Sequence, residues 1–562
     1  MCAGALSWAD VSATLYRHGV VHSPSDPFAE ALLVQDGVVA WMGSDDTADG
    51  LVAGVDEVVE LDGALVAPAF VDAHVHLLET ALAAAGLDLT PAGGVRGRAD
   101  VLDAVARAAA QRAPGDRRTL HGTGWDEGSW PEGRPPTRVE LDAAAQGLPV
   151  YLARVDVHSA VVSSALADLA GLWDLPGWSD DGLVVGAAHH AARTVARAVD
   201  AHERSALYRE ALARAAAAGI ASLHEQSAPY VDTRDGLREL MATTADAASG
   251  LPLVVGYRAE PCVTVDDARA LLADLPGLTG IGGDLNVDGS IGSRTAALRH
   301  PYADAPGTSG TLYLSAEQIA NHVTAVTRAG SHAAFHAIGD RALDELLLGL
   351  RAAADVEGTA AVAAAGHRVE HAEMVDAHSL AQIVLLGLRL SVQPAFDAAW
   401  GGPEGMYAAR LGRGRAAALN PFADFTAAGV PLALGSDAPV TPFDPWAGVR
   451  AAATHHEPDQ RISVRAAFRA ATRGGWRLAG LDHTGAGELR VGAPAHLAVW
   501  RAEHLVVQAS RTSSWSADAR AGSPLLPDLG PDQPAPQCLR TVRDGVVLHD
   551  TLGAGPTAQP DG

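Results

Sequence analysis

The sequence predicts an α/β fold centred on a (β/α)8 TIM-like barrel. Three observations lead there. Eight short apolar runs recur between residues 64 and 435. Alanine-rich stretches with helical patterning, such as 202–217, 316–329 and 342–354, separate several of them. Four of the runs end in histidine or aspartate. Strands alternating with helices argue for a parallel sheet covered by helices. Polar residues at strand ends fit a barrel, whose catalytic groups sit at the carboxyl ends of its strands.

The outer parts of the chain read differently. Residues 12–65 and 488–550 carry short alternating runs with turn signals. Asp36-Gly37 and Asp544-Gly545 each sit between apolar stretches, a strong local hairpin signal. We expect residues 1–65 and 485–550 to build one small β-sandwich from both chain ends, around a barrel over 66–484. Barrel strands are expected at 64–71, 219–224, 252–258, 281–288, 331–336, 367–371, 389–393 and 430–435. The gap of about 83–200 between the first two exceeds a simple βα connection and predicts an inserted subdomain. Residues 551–562, rich in Gly, Ala and Pro, read as a disordered tail.

Composition narrows the function. Hydrophobic residues make up 48% of the 562, as a packed globular protein needs. A formal charge of −26 argues against a nucleic-acid partner, whose phosphates would be repelled. Cys2, Cys262 and Cys538 lie far apart, which fits a reducing cytosol and excludes a cysteine-rich zinc knuckle. The first residues show no basic start with an apolar core, and no apolar stretch approaches the roughly 20 residues of a membrane helix. The expectation is a cytoplasmic protein acting on a small molecule, without nucleic acid or membrane, and compatible with a homodimer. All 41 basic residues are arginine. Schiff-base chemistry, a phosphate-loop lysine and a carbamylated lysine between two metals are therefore excluded.

The strand ends carry the chemistry. The first run continues into Asp72-Ala73-His74-Val75-His76. Side chains alternate along a strand, so His74 and His76 project to one side, where neutral imidazoles can hold zinc. The runs ending near His336, His371 and Asp437 repeat the pattern. Singly, each has an ordinary role, a satisfied strand end or, for Asp437, a helix N-cap. In this order they point ligands at one face of a barrel.

Further segments are distinctive: Gly122-Thr123-Gly124-Trp125-Asp126, Arg134-Pro135-Pro136-Thr137-Arg138, Arg154-Val155-Asp156-Val157-His158, Gly219-Ile220-Ala221-Ser222-Leu223-His224-Glu225, and Asp288-Gly289-Ser290-Ile291-Gly292-Ser293-Arg294-Thr295. With the strand-end ligands, they make the chain resemble the metal-dependent amidohydrolase superfamily, specifically amidohydrolase family 3 with its YtcJ-like and N-substituted formamide deformylase-like members. The resemblance implies an insertion covering the barrel mouth as a cap. It also implies a zinc site of one or two divalent ions held by His74, His76, His336, His371 and Asp437. Zinc lowers the pKa of its bound water to about 7. Asp437 is the expected proton carrier.

One position departs from the family. Many relatives have lysine four residues before the Asp-Gly that corresponds to Asp288-Gly289; this chain has Asp284. Asp284 could bridge two ions as a carboxylate, or the site could hold one. The short reach of an aspartate favours one. Candidate substrate contacts are His158, Arg154, His224, Arg294 and Trp125, with Trp130, Trp400 and Trp446 as further aromatic walls. His455-His456-Glu457 reads as a solvated loop. The expected activity is hydrolysis of a non-peptide C–N bond in a small amide, N-acyl or N-formyl compound. Deamination of a cyclic amidine, or ligand binding without catalysis, are the alternatives.

Overall fold

The computed structural model describes residues 12–507 and 523–553. Cys2 and the expected tail beyond residue 553 lie outside the described residues.

Eight strands form one parallel sheet in chain order. They are β1 (Phe70–Val75), β2 (Ile220–Ser227), β3 (Leu253–Arg258), β4 (Gly280–Ile281), β5 (His332–Ala337), β6 (Arg368–His371), β7 (Arg389–Val392) and β8 (Leu432–Leu434). The sheet curls until its edges meet. Asp437 N donates to His74 O at 2.8 Å and His76 N to Ala438 O at 3.0 Å, joining the chain after β8 to the end of β1. Helices such as Ala316–Arg328 and Asp340–Glu357 lie between the strands and bury Ile319, Val323, Leu343 and Leu346 in the same core as Phe335 and Val369.

Two expected strands differ. The run 64–71 belongs to two sheets: Leu65–Pro68 pairs antiparallel with Leu497–Arg501, and only from Phe70 does the chain enter the barrel. Both parts are buried, so the run shows no break in hydropathy. The stretch 281–288 pairs regularly only at Gly280–Ile281. Gly282 and Gly283 then take φ of +135° and +87°. A Cβ on Gly282 would stand 2.0 Å from Ala334 O, and one on Gly283 2.1 Å from the Gln226 amide oxygen. Only glycine allows so close an approach, and it carries Asp284 inward before Val287 N rejoins His336 O at 2.9 Å.

Both ends of the described chain meet outside the barrel. Four strands from Ala13 to Glu60 form one sheet, and Val20–Val21, Leu65–Pro68, Leu497–Arg501, Gln537–Arg543 and Val546–Asp550 form another. Tyr16, Leu32, Val66, Leu497 and Leu539 share one apolar cluster. The Asp36-Gly37 and Asp544-Gly545 turns have positive φ at both positions, the geometry whose twist suits a two-residue hairpin. These turns touch: a Cβ on Gly37 would stand 2.7 Å from Asp544 O.

Between β1 and β2, a separate five-stranded sheet runs from Leu87–Asp88 to Leu183–Val185. One of its faces packs on the helix Arg98–Ala110. Tyr151, Val162 and Leu166 instead share a cluster with Ile291, from the loop after β4, and with Phe396 and Tyr407, from two short helices after β7. Among the described residues no helix is long and apolar enough to cross a membrane.

Two buried histidines away from these loops fasten strands. His322 Nδ1 accepts from Cys262 N at 2.9 Å while Nε2 donates to Ile281 O at 3.1 Å. His367 Nδ1 accepts from Ala333 N at 2.9 Å, with Nε2 against Thr327 Oγ1 at 3.2 Å. Burial pushes their pKa values down to about 4 and about 3. Below the ordinary value near 6.5 the unfolded chain takes up these protons first, so stability falls as pH drops from 6.5 towards 4, by up to about 1.4 kcal/mol per histidine per pH unit. Denaturant midpoints should therefore fall between pH 7 and pH 5. The double variant His322→Gln, His367→Gln should show a shallower fall; an unchanged slope would assign it to other groups.

Candidate metal centre

The centre is assembled from strand ends. His74 lies on β1, and His76 just beyond it precedes the helix Leu77–Ala85. His336 lies on β5, His371 ends β6, and Asp437 follows β8. His371 and Asp437 sit in left-handed backbone, with φ of +70° and +55°, a conformation that non-glycine residues keep only where their surroundings enforce it.

Each imidazole commits one nitrogen to a protein acceptor. His74 Nδ1 donates to Glu370 Oε2 at 2.9 Å, His76 Nδ1 to Gln226 O at 3.1 Å and His371 Nδ1 to Gln393 Oε1 at 2.8 Å. His336 uses Nε2, towards Gly289 O at 3.3 Å. Such contacts orient the ring and turn its other nitrogen to the centre, where it can carry a proton or, without it, bind a metal. Glu370 is itself held by Arg368, with Nε 2.9 Å from Oε1 and Nη2 3.0 Å from Oε2.

The remaining nitrogens face two carboxylates. His74 Nε2 is 3.4 Å from both Asp284 Oδ1 and Asp437 Oδ1. His76 Nε2 is 3.1 Å from Asp284 Oδ2 and 3.3 Å from Asp437 Oδ1. His336 Nδ1 and His371 Nε2 stand 3.5 and 3.7 Å from Asp284 Oδ1. Asp284 thus reaches all four histidines, against the expectation that so short a side chain stops short. The glycine pair before it brings its backbone inward.

These atoms fit a bound cation. His74 Nε2, His336 Nδ1, His371 Nε2, Asp284 Oδ1 and Asp437 Oδ1 are all buried without a hydrogen-bond partner. Buried polar atoms are rarely left so. Ligands about 2.0–2.2 Å from a tetrahedral zinc stand about 3.3–3.6 Å from one another, close to the spacings here. Two trios converge most tightly, His74–Asp284–His371 and His74–His76–Asp437. They share the free nitrogen of His74, which can bind only one ion.

The electrostatics agree. Burial opposes charge on His74 and His76, yet Asp284 and Asp437 outweigh it and raise both to about 10. Burial likewise opposes ionisation of Asp284 and Asp437, and the histidines hold both below the ordinary carboxylate range. The pocket therefore favours positive charge between these groups.

His158 comes from the insertion, its ring centre 5.0 Å from that of His336. Burial and the neighbouring His336 push it down to about 3, so it is neutral. Val157 before it has φ of +48°, unusual for a β-branched residue. Arg154 lies behind this turn and binds Asp126, Glu127 and Asp156 at 2.7, 2.9 and 3.0 Å. Asp156 in turn accepts from Ser290 Oγ at 2.6 Å, fastening the insertion to the loop after β4.

Other candidates are placed elsewhere. Arg294 pairs with Asp304 through Nη2 at 2.7 Å, so its donor fork is occupied. Trp125 packs on Trp130 and donates from Nε1 to Leu152 O at 2.8 Å, inside the insertion. His224 Nδ1 contacts Arg368 Nη1 at 2.9 Å and is fully buried within the barrel. Trp446 packs against Phe70 and Phe468. His455, expected in a solvated loop, is 2% exposed, with Nε2 3.5 Å from Asp397 Oδ1.

Sequence reasoning missed most of the cavity walls. On one side of His158 and Asp437 lie Phe396, Trp400, Met406 and Tyr407, with the buried carboxyl of Glu373; only Trp400 was expected. On the other side lie His189, His190, Arg193, Tyr230 and Tyr313. Arg193 stands four residues after His189 and three after His190, so it shares a helix face with each, and this spacing was the available signal.

A parallel barrel gathering imidazoles and carboxylates at its strand ends defines a metal-dependent hydrolase. The chain belongs to the amidohydrolase family, whose model matches residues 57–549. N-substituted formamide deformylase of Arthrobacter pascens is 25% identical, covering 94% of this chain and 96% of its own. Protein LONG AFTER FAR-RED 3 of Arabidopsis thaliana is 28% identical, covering 81% of each chain. A crystal structure of an uncharacterized metal-dependent hydrolase from Pyrococcus horikoshii superposes with a TM-score of 0.67 at 25% identity, over 91% of this chain and 99% of that one.

Glu370 orients His74 without facing the centre. Glu370→Gln should weaken metal affinity by about 10–100-fold, read by competition with a chelating dye, while circular dichroism stays unchanged. Unaltered affinity would show that the orientation of His74 does not depend on this carboxylate.

Proposed function

We propose that the protein hydrolyses a non-peptide C–N bond of a small amide, N-acyl or N-formyl compound, using one zinc ion. The observation that carries this reading is the set of five buried, unpartnered ligand atoms on His74, His336, His371, Asp284 and Asp437. His76 is aimed at the same carboxylates, and a single ion would take only some of these atoms, as in the trios His74–Asp284–His371 or His74–His76–Asp437, keeping a position open for water. When bound, the ion supplies Lewis-acid chemistry, acidifying water and polarising a carbonyl.

The residues divide the remaining work. Asp437 reaches the centre through Oδ1 and lines both cavities. It takes the proton of the attacking water and delivers it to the leaving nitrogen, as general acid–base catalysis requires. Neutral His158, between the cavities, presents an imidazole N–H to the substrate oxygen. The aromatic wall excludes water and accepts an apolar substituent. Cyclic amidine deaminases of this kind commonly carry glutamate three residues after such a histidine as proton carrier; here that place is Gly339, and Asp340, one further on, accepts from Arg299 N at 2.8 Å. The deaminase reading gains nothing from it.

Asp437→Asn keeps the shape and removes the proton acceptor. Its kcat should fall by about 100-fold or more on a formamide or N-acyl substrate; a nearly normal kcat would move the role to another group. Elemental analysis of the fully loaded protein should find one zinc. Two tightly held ions, one lost in Asp284→Ala, would establish a carboxylate-bridged pair instead.

A further inference from the structure

The cavity on the polar side of the centre carries a charge that the hydrolytic reading does not use. Its wall is the helix Gly186–Ala196 of the insertion, which presents His189, His190 and Arg193. Arg193 is 6% exposed and pairs with Glu79 of the barrel. Arg197, one turn on, pairs with the same Glu79 oxygen. Among the described residues neither guanidinium has an ion pair with another carboxylate, and beyond Glu79 the more distant Asp232 adds attraction at Arg197. Arg193 Nε, moreover, has no hydrogen-bond partner.

A buried guanidinium that leaves a donor unpartnered is costly unless something satisfies it; Asp284 and Asp437, which line the same cavity, are turned to the histidines. The wall is also rigid. Arg193 lies over the Tyr230 ring at 5.6 Å, and His190 stacks on that ring at 3.9 Å. Tyr230 Oη donates to Asn286 Oδ1 at 2.7 Å, tying the wall to the loop that carries Asp284. A planar guanidinium held in this way suits a carboxylate. The opposite cavity, with Phe396, Trp400 and Tyr407, suits an aromatic or aliphatic group.

We propose that Arg193 binds a substrate carboxylate, so that the preferred substrates are N-acyl or N-formyl amino acids with an apolar side chain. The proposal rests on the hydrolytic reading above for the bond that is cut, but not for the anion site itself.

Three probes separate the two. N-formylphenylalanine, N-formylphenylalanine amide and N-formylphenethylamine offer the same C–N bond and ring, and only the first is anionic. On the zinc-loaded wild-type protein, kcat/KM for the acid should exceed that for the other two by at least about tenfold, the scale of a charge-assisted hydrogen bond. Arg193→Gln, which leaves Arg197 to pair with Glu79, should erase the preference at unchanged zinc content; should that variant not fold, the wild-type series still decides. If all three probes turn over within about threefold of one another, the hydrolytic reading stands and the anion site is rejected. If none is hydrolysed but calorimetry shows the acid alone binding, the anion site stands and the hydrolytic reading fails. If none binds or reacts, the anion site is rejected.

Discussion

The barrel is sealed by the residues that face the metal centre. Asp437 N donates to His74 O and His76 N to Ala438 O, so the seam between the last and first strands runs through two histidines and the carboxylate opposite them. Gly435 permits this contact, since a Cβ there would stand 2.7 Å from His74 N. The cost of bringing the ends of a long chain together and the placement of the ligands are thus met by one set of backbone bonds. A barrel that failed to close would have no site.

The other ligands depend on contacts of the same kind one layer out. His74 is oriented by Glu370, and Glu370 by Arg368, whose ring-stacked partner is Tyr257, 4.4 Å from the guanidinium carbon. Arg368 is fully buried. A buried charge needs a paired partner and further hydrogen bonds. Arg368 has both, since its Nη2 also donates to Ala73 O at 3.0 Å. The barrel interior is therefore a column of charge that holds one imidazole in one orientation. Arg368, and His224 which contacts it at 2.9 Å, thus belong to the support of the centre and not to its surface.

Much of this was legible in the sequence, and the losses have physical causes. His74, His76, His336, His371 and Asp437 stand at the ends of apolar runs, where the two-residue period and the barrel's geometry make their direction readable. The boundary inside residues 64–71 was hidden because both halves are buried, and hydropathy records burial without saying in which sheet. The inward swing at Gly282-Gly283 was hidden because glycine permits a close approach without announcing its direction; hence the reach of Asp284 was underestimated. Arg294 and Trp125 were misread because residue type suggested contact, whereas Asp304 and Leu152 O had already taken their donors. The cavity walls come from Gly186–Ala196 and Pro394–Trp400, helices whose partners lie far away in sequence. Local spacing shows which residues of such a helix share a face, but not that this face meets the centre.

This division of labour separates chemistry from selectivity. The barrel supplies every proposed metal ligand, from strand ends and, for Asp284, from the loop after β4. The insertion supplies His158 and the Arg193 wall, fastened by Asp156 to Ser290 and by Arg193 to Glu79. Strain sits at the junction, where Val157 keeps a left-handed backbone so that His158 turns inward while Asp156 turns to its serine partners. Changes in the insertion can therefore reshape what the centre admits while the ligands stay in register. His74, His76 and Asp437 cannot shift without disturbing the seam that closes the barrel.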